Sequence, residues 1–132
     1  MTRAVLDSSA LLAYFLAEPG AVAVKQYLGH STISAVNLSE VAARLANRGA
    51  LEELIRGQVQ KLRLSVYDFD EEIAYATGML RERTKELGLS LGDRACIATA
   101  ARLNLPAVTA DSVWSELDLG VKIVVIRGSE AG

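Results

Sequence analysis

The sequence predicts an α/β fold in which a short, mostly parallel sheet is covered on both faces by helices. Three observations predict it. Short β-branched or apolar runs alternate with helical stretches along the chain. The helical stretches between strands supply the crossovers that parallel neighbours need. One of them, Ala95–Ala101, is apolar or small on every side, as a helix packed within a protein is.

The elements follow in order. Ala4-Val5-Leu6 reads as a short strand. Asp7-Ser8-Ser9 precedes Ala10–Ala17, a helix stopped by Glu18-Pro19-Gly20. Ala21–Leu28 reads as a second helix ended by Gly29, and Thr32-Ile33-Ser34 as the next strand. Ala35–Arg48 is amphipathic, with Leu38, Val41, Ala42 and Leu45 on one face and Gly49 as its stop. Leu51–Leu62 carries apolar residues at helical spacing, and Leu64–Phe69 is strand-like. Asp70 caps a long helix to about Glu86, stopped by Gly88. Ser90–Leu103 is the buried helix. Pro106 breaks the chain before the strand Ala107-Val108-Thr109. Asp111 starts a short helix through Leu117, Val121–Ile126 is the last strand, and Gly128–Gly132 is a polar tail.

Composition narrows the chemistry. At 132 residues, one domain spanning 1–132 is expected. The apolar fraction of 51% argues against disorder. The apolar runs, such as Ala10–Ala17, fall short of the ~20 residues of a membrane span. No basic stretch followed by an apolar core opens the chain, so a cytoplasmic protein is expected. A single cysteine, Cys96, rules out an intrachain disulfide, and a single histidine, His30, rules out zinc sites built on several imidazoles. Oxygen ligands remain: carboxylates and hydroxyls.

Four acids occupy informative places. Asp7 and Asp111 each follow a strand, where a parallel sheet opens its ligand crevice. Glu40 lies in the helix after the second strand, near Asn37 and Arg44 by helical spacing. Asp93 stands in the first turn of the buried helix. Each has an ordinary role when taken alone. Asp7 and Asp111 suit helix caps, Glu40 suits an ion pair with Arg44, and Ser90-Leu91-Gly92-Asp93 has capping-box spacing. As a set, with the first strand central, they converge on one mouth. Two carboxylates ~5 Å apart repel by roughly 3 kcal/mol at an effective dielectric near 20. Protonation or a bound cation relieves this, and oxygen-only ligands suit Mg²⁺ or Mn²⁺. A divalent ion so held activates water and steadies phosphoryl oxygens. Gly92, a poor helix former, lets something approach the backbone closely.

The stretches Asp7-Ser8-Ser9-Ala10-Leu11, Ser34-Ala35-Val36-Asn37-Leu38-Ser39-Glu40-Val41, Ser90-Leu91-Gly92-Asp93 and Thr109-Ala110-Asp111, in this order, resemble PIN-domain ribonucleases, most closely the VapC toxins of VapBC toxin–antitoxin pairs. The likeness runs from about Val5 to Ile126. It implies a PIN-like three-layer α/β/α sandwich and a metal-dependent endoribonuclease. It also implies a metal held by Asp7, Glu40, Asp93 and Asp111, with the hydroxyls of Ser9 and Thr109 orienting those acids. It implies, too, a homodimer and a VapB antitoxin whose tail occupies the cleft.

Spacing places Arg44, Arg48 and Arg94 near the acidic mouth, where they meet flanking RNA phosphates or pair on the surface. Arg81, Arg83 and Lys85 alternate with Glu82 and Glu86 as a solvated face. Tyr14, Phe15 and Trp114 read as core or interface, Cys96 as an inert core residue and His30 as a turn residue. Setting aside the four acids leaves 12 acidic against 14 basic residues, so the net charge of −2 does not oppose RNA. Two rivals stand beside this reading. One is an aspartyl phosphoacceptor or phosphatase with Asp7 as nucleophile, although Ser9 sits where such enzymes want a second acid. The other is a binding module whose acids are only caps.

Overall fold

The computed structural model describes residues 3–126; the polar tail Gly128–Gly132 lies outside the described residues. Five strands form one sheet: β1 (Val5–Leu6), β2 (Thr32–Ser34), β3 (Ser65–Tyr67), β4 (Ala107–Thr109) and β5 (Ile123–Val125). Their order is β3-β2-β1-β4-β5, and every pairing is parallel. β1 is therefore central, with Val5 opposite both Thr32 and Ala107, and Leu6 opposite both Ile33 and Val108. The chain builds outward from β1 through β2 to β3, then returns to place β4 on the other side. The seam between β1 and β4 is the topological switch point, where α/β sheets open their crevice.

Helices cover both faces. On one side lie α1 (Ser8–Phe15) and α2 (Ala21–Val24); α3 (Ala35–Asn47) and α4 (Glu52–Lys61) continue the chain after β2. On the other lies α7 (Leu91–Leu103), with α5 (Glu71–Met79) packed against it; α6 (Arg81–Thr84) follows α5. The period of two along the strands sorts the core. Leu6 and Val108 point to a cluster with Ala10, Ala13, Val24 and Tyr27. Val5 and Ala107 point to the opposite cluster with Cys96, Ile97, Ala100 and Trp114. Leu11, Ile33, Val41 and Leu62 join α1, β2, α3 and α4 in a third. The fold is thus the expected α/β/α sandwich, and no helix among the described residues is long and apolar enough to cross a membrane.

Several boundaries differ from the sequence expectation. The helix expected from Asp70 to Glu86 is broken at Leu80 into α5, α6 and a 3₁₀ turn, Lys85–Leu87. Thr77 and Thr84 turn their hydroxyls back onto the Ile73 and Leu80 carbonyls, a habit that bends helices. The Thr77 carbonyl is also taken by Arg94 Nη1 at 3.2 Å and by Leu80 N at 3.3 Å. The first helix starts at Ser8, because Asp7 rather than Ser8 or Ser9 is its N-cap. The second keeps α geometry only through Val24 and tightens to 3₁₀ over Lys25–Tyr27. The turn at Ser112–Glu116 is 3₁₀, and β3 and β5 are each three residues long. Ala101, expected within the buried stretch, is exposed, because the cover on α7 ends at Ala100.

Candidate active site

β1 ends at Leu6, so Asp7 emerges at the carboxyl edge of the sheet, beside Thr109 at the end of β4. Asp7 is 2% exposed. Its Oδ1 accepts from Ala10 N at 2.8 Å and caps α1. Its Oδ2 accepts from Thr109 Oγ1 at 2.6 Å. Ser9 Oγ donates to both oxygens, at 2.8 and 2.9 Å, and itself accepts from Ala110 N at 2.9 Å. Asp111 N in turn donates to Thr109 Oγ1. Two hydroxyls, one from each side of the β1–β4 seam, therefore fix Asp7 and tie it to the turn that carries Asp111.

Burial pushes the Asp7 carboxyl from 3.8 up to about 6. The bonds from Thr109, Ala10 and Ser9 pull the other way, and the charge of Asp93 adds to the rise. Asp93 is half-buried in the first turn of α7. It completes a capping box with Ser90, accepting from Ser90 N at 2.9 Å while its own N–H donates to Ser90 Oγ at 3.2 Å. Burial raises its carboxyl too, against the Ser90 bonds, and the charges of Asp111 and Glu40 raise it further. Cys96, one turn deeper in α7, is held well above its usual range by burial and then by Asp7, Asp93 and Glu40. The four acids thus share one end of the sheet.

Glu40 and Asp111 are exposed at its rim. Asp111 caps the 3₁₀ turn through Val113 N at 3.0 Å. Glu40 is not paired with Arg44; it accepts from Asn37 Nδ2 at 2.9 Å. The same nitrogen donates to the Gly92 carbonyl at 3.1 Å, so one amide joins α3 to the first turn of α7. The Glu40 carboxylate lies where a Cβ on Gly92 would stand, so a larger residue there would displace that side-chain tip. Sequence reasoning marked Gly92 as a place of close approach but gave Asn37 no role beyond its position one turn before Glu40. A polar amide in the helix start, three residues before the acid, is the signal that could have found it.

Ion pairs among the described residues lie elsewhere, at Arg56–Glu52 and Lys85–Glu82, and none of the four acids has one. The donor set is oxygen only, crowded with negative charge and uncompensated by a side-chain cation. In kind and in charge it fits Mg²⁺ or Mn²⁺. In the arrangement seen, no three Asp, Glu, His or Cys side chains among the described residues stand close enough to enclose an ion. Asp93 is engaged at Ser90 and Asp111 at Val113. Beside Glu40, a shallow groove of about 500 Å³ runs between α3 and α7, lined by Val36, Ser39, Phe69, Ser90, Leu91 and Gly92.

The remaining candidates divide. Arg44 on α3 and Arg48 at its C-cap are exposed, following Glu40 at helical spacing. Arg94 turns away from the mouth, its Nη1 bound to the Thr77 carbonyl of α5. Cys96 and Trp114 are core, Tyr14 and Phe15 stack edge to face at 5.8 Å, and His30 lies in a turn with its carbonyl bonded to Arg3.

The family model of the PIN domain matches residues 4–119. The fold is similar to that of a toxin–antitoxin complex from Klebsiella pneumoniae, with 21% identity, 89% of this chain and 94% of that chain covered, and a TM-score of 0.71. It is similar to DNA-bound VapBC from Salmonella typhimurium, with 22% identity, 93% and 97% covered, and a TM-score of 0.71. It is also similar to VapC20 of Mycobacterium tuberculosis, described as a Sarcin-Ricin loop cleaving toxin, with 15% identity, 89% and 98% covered, and a TM-score of 0.69. At these identities the likeness is one of fold. No curated protein matches the chain.

Proposed function

The chain belongs to the PIN domain family, and from that premise we propose that it is a Mg²⁺- or Mn²⁺-dependent endoribonuclease, the toxin of a VapBC-like toxin–antitoxin pair. The observation that supports the reading is mutual charge without a counter-ion: Asp7, at the end of the central strand, feels the charge of Asp93, and Asp93 feels those of Asp111 and Glu40, while none of the four has an ion pair among the described residues. The neighbours support the biological setting, since two of those named are toxin–antitoxin assemblies.

When bound, a divalent ion supplies charge for the phosphoryl oxygens and lowers the pKa of a water. The chain supplies the rest. Asp7 is an immobile ligand, its orientation set by Ser9 and Thr109 before substrate arrives. Asp93 and Asp111 are movable by comparison, held only through local caps. Glu40 offers its carboxylate from the α3 side, and Arg44 and Arg48 extend from it along the exposed helix face toward flanking phosphates. A cognate VapB-like antitoxin and a second copy of the chain complete the proposed setting, in the cytoplasm. The phosphatase alternative is disfavoured by Ser9, which stands two residues after Asp7 where such an enzyme wants a second acid and here hydrogen-bonds the Asp7 carboxylate instead.

The test is the purified, antitoxin-free protein against total cellular RNA with Mg²⁺ or Mn²⁺, with the cleavage ends mapped. Cleavage is expected for the parent and lost in Asp7→Ala and Asp93→Asn. A parent that does not cut, or variants that cut equally well, would overturn the proposal.

A further inference from the structure

We infer that Asn37 is a positioning residue: its side-chain amide fixes the Glu40 carboxylate against the first turn of α7, beside Asp93, and so sets the spacing of the metal-binding acids. The inference rests on reading those acids as a metal site. Asn37 is 1% exposed. Its Nδ2 reaches Glu40 Oε1 at 2.9 Å and the Gly92 carbonyl at 3.1 Å. These two partners belong to different helices, and Gly92 is the residue before Asp93. The opposite amide orientation is excluded, since it would set Oδ1 against two other acceptors.

Asn37 Oδ1 is buried and takes no hydrogen bond in the structure. An unpaired buried acceptor lowers stability, and an apolar side chain of similar size would join α3 to α7 without that cost. The amide is therefore explained by what its nitrogen holds. One partner is a carboxylate that is otherwise exposed at the rim, so the bond contributes little to packing. Gly92 bears on the same carboxylate. Its missing Cβ leaves the space that Glu40 fills. The hold from Asn37 and the space left at Gly92 thus act on the same carboxylate.

The test is calorimetric titration of Mn²⁺ alone into the parent, Asn37→Leu, Asn37→Ala, Asn37→Asp and Gly92→Ala, with a melting curve of each in chelator. Asn37→Leu and Gly92→Ala are expected to melt in chelator at or above the parent. A tie needed only for stability would lower it. All four variants are expected to bind Mn²⁺ some 10–100-fold more weakly, the usual effect of losing a partner that orients a metal ligand. Asn37→Asp keeps the shape but sets an acid beside Glu40, so it is read at a pH where that acid is ionised and is paired with Asn37→Ala, which removes the donors without adding charge and carries the test if Asn37→Leu does not fold. Parent-like Mn²⁺ affinity in Asn37→Leu or Asn37→Ala overturns the inference while leaving the metal site standing. A parent that itself binds no Mn²⁺ overturns both.

Discussion

At Asp7 the helix cap and the proposed metal ligand are the same carboxylate. The sequence posed these as alternatives; the structure assigns Oδ1 to the cap and Oδ2 to Thr109. Burial has a measurable consequence. The unfolded chain ionises Asp7 above about 4, the folded protein only above about 6. Between those values the folded state holds the extra proton, so stability falls as pH rises through the window. Above it the metal-free protein carries the whole penalty, about 3 kcal/mol by linkage. Asp7→Asn is therefore expected to melt higher than the parent in chelator at pH 8, and to lose that advantage by pH 4. With Mg²⁺ the proposed site predicts the reverse order, because the parent is expected to gain more from the ion. Melting curves at the two pH values, with and without Mg²⁺, check this. Asn37 was the opposite case. Its partner on α7 is 55 residues away, and nothing in local spacing reveals such a contact.

At the scale of elements, the buried helix was the most legible. Its small and apolar residues leave no polar face, and α7 is indeed covered from Ala95 to Ala100. The long helix after Asp70 was legible at its start, where Asp70 caps Ile73, and not at its break. The break involves Arg94, which bonds the Thr77 carbonyl from another helix, and a helical pattern carries no trace of that. The three arginines expected near the mouth should therefore separate. Arg94→Ala is expected to lower the melting temperature by loosening α5 from α7. Arg44→Ala and Arg48→Ala, both exposed, are expected to leave melting unchanged and to weaken RNA binding. The check is melting together with RNA affinity measured in an Asp93→Asn background, where cleavage cannot obscure binding. Equal RNA affinity in all the arginine variants would remove α3 from the proposed RNA path.

At the scale of the whole molecule, the parallel sheet and the place of the acids could be read from the alternation of runs, because Asp7 and Asp111 follow strands and β1 is central. What holds the exposed faces could not. Tyr75 and Met79 on α5 are 65% and 74% exposed, along a groove with Ala74 and Gly78. The proposed homodimer is expected to cover this face, so Tyr75→Glu with Met79→Glu should reduce the mass measured by light scattering to one copy. An unchanged mass would place the interface elsewhere. The β1–β4 seam also sets a clock. Thr109, which secures Asp7, lies 102 residues downstream of it, and Asp111 follows later still. During synthesis the first strand must wait for nearly the last one before this end of the sheet exists. A nascent chain that has not yet reached Thr109 therefore lacks the partner that secures Asp7, and the proposed site stays incomplete until that residue has been made.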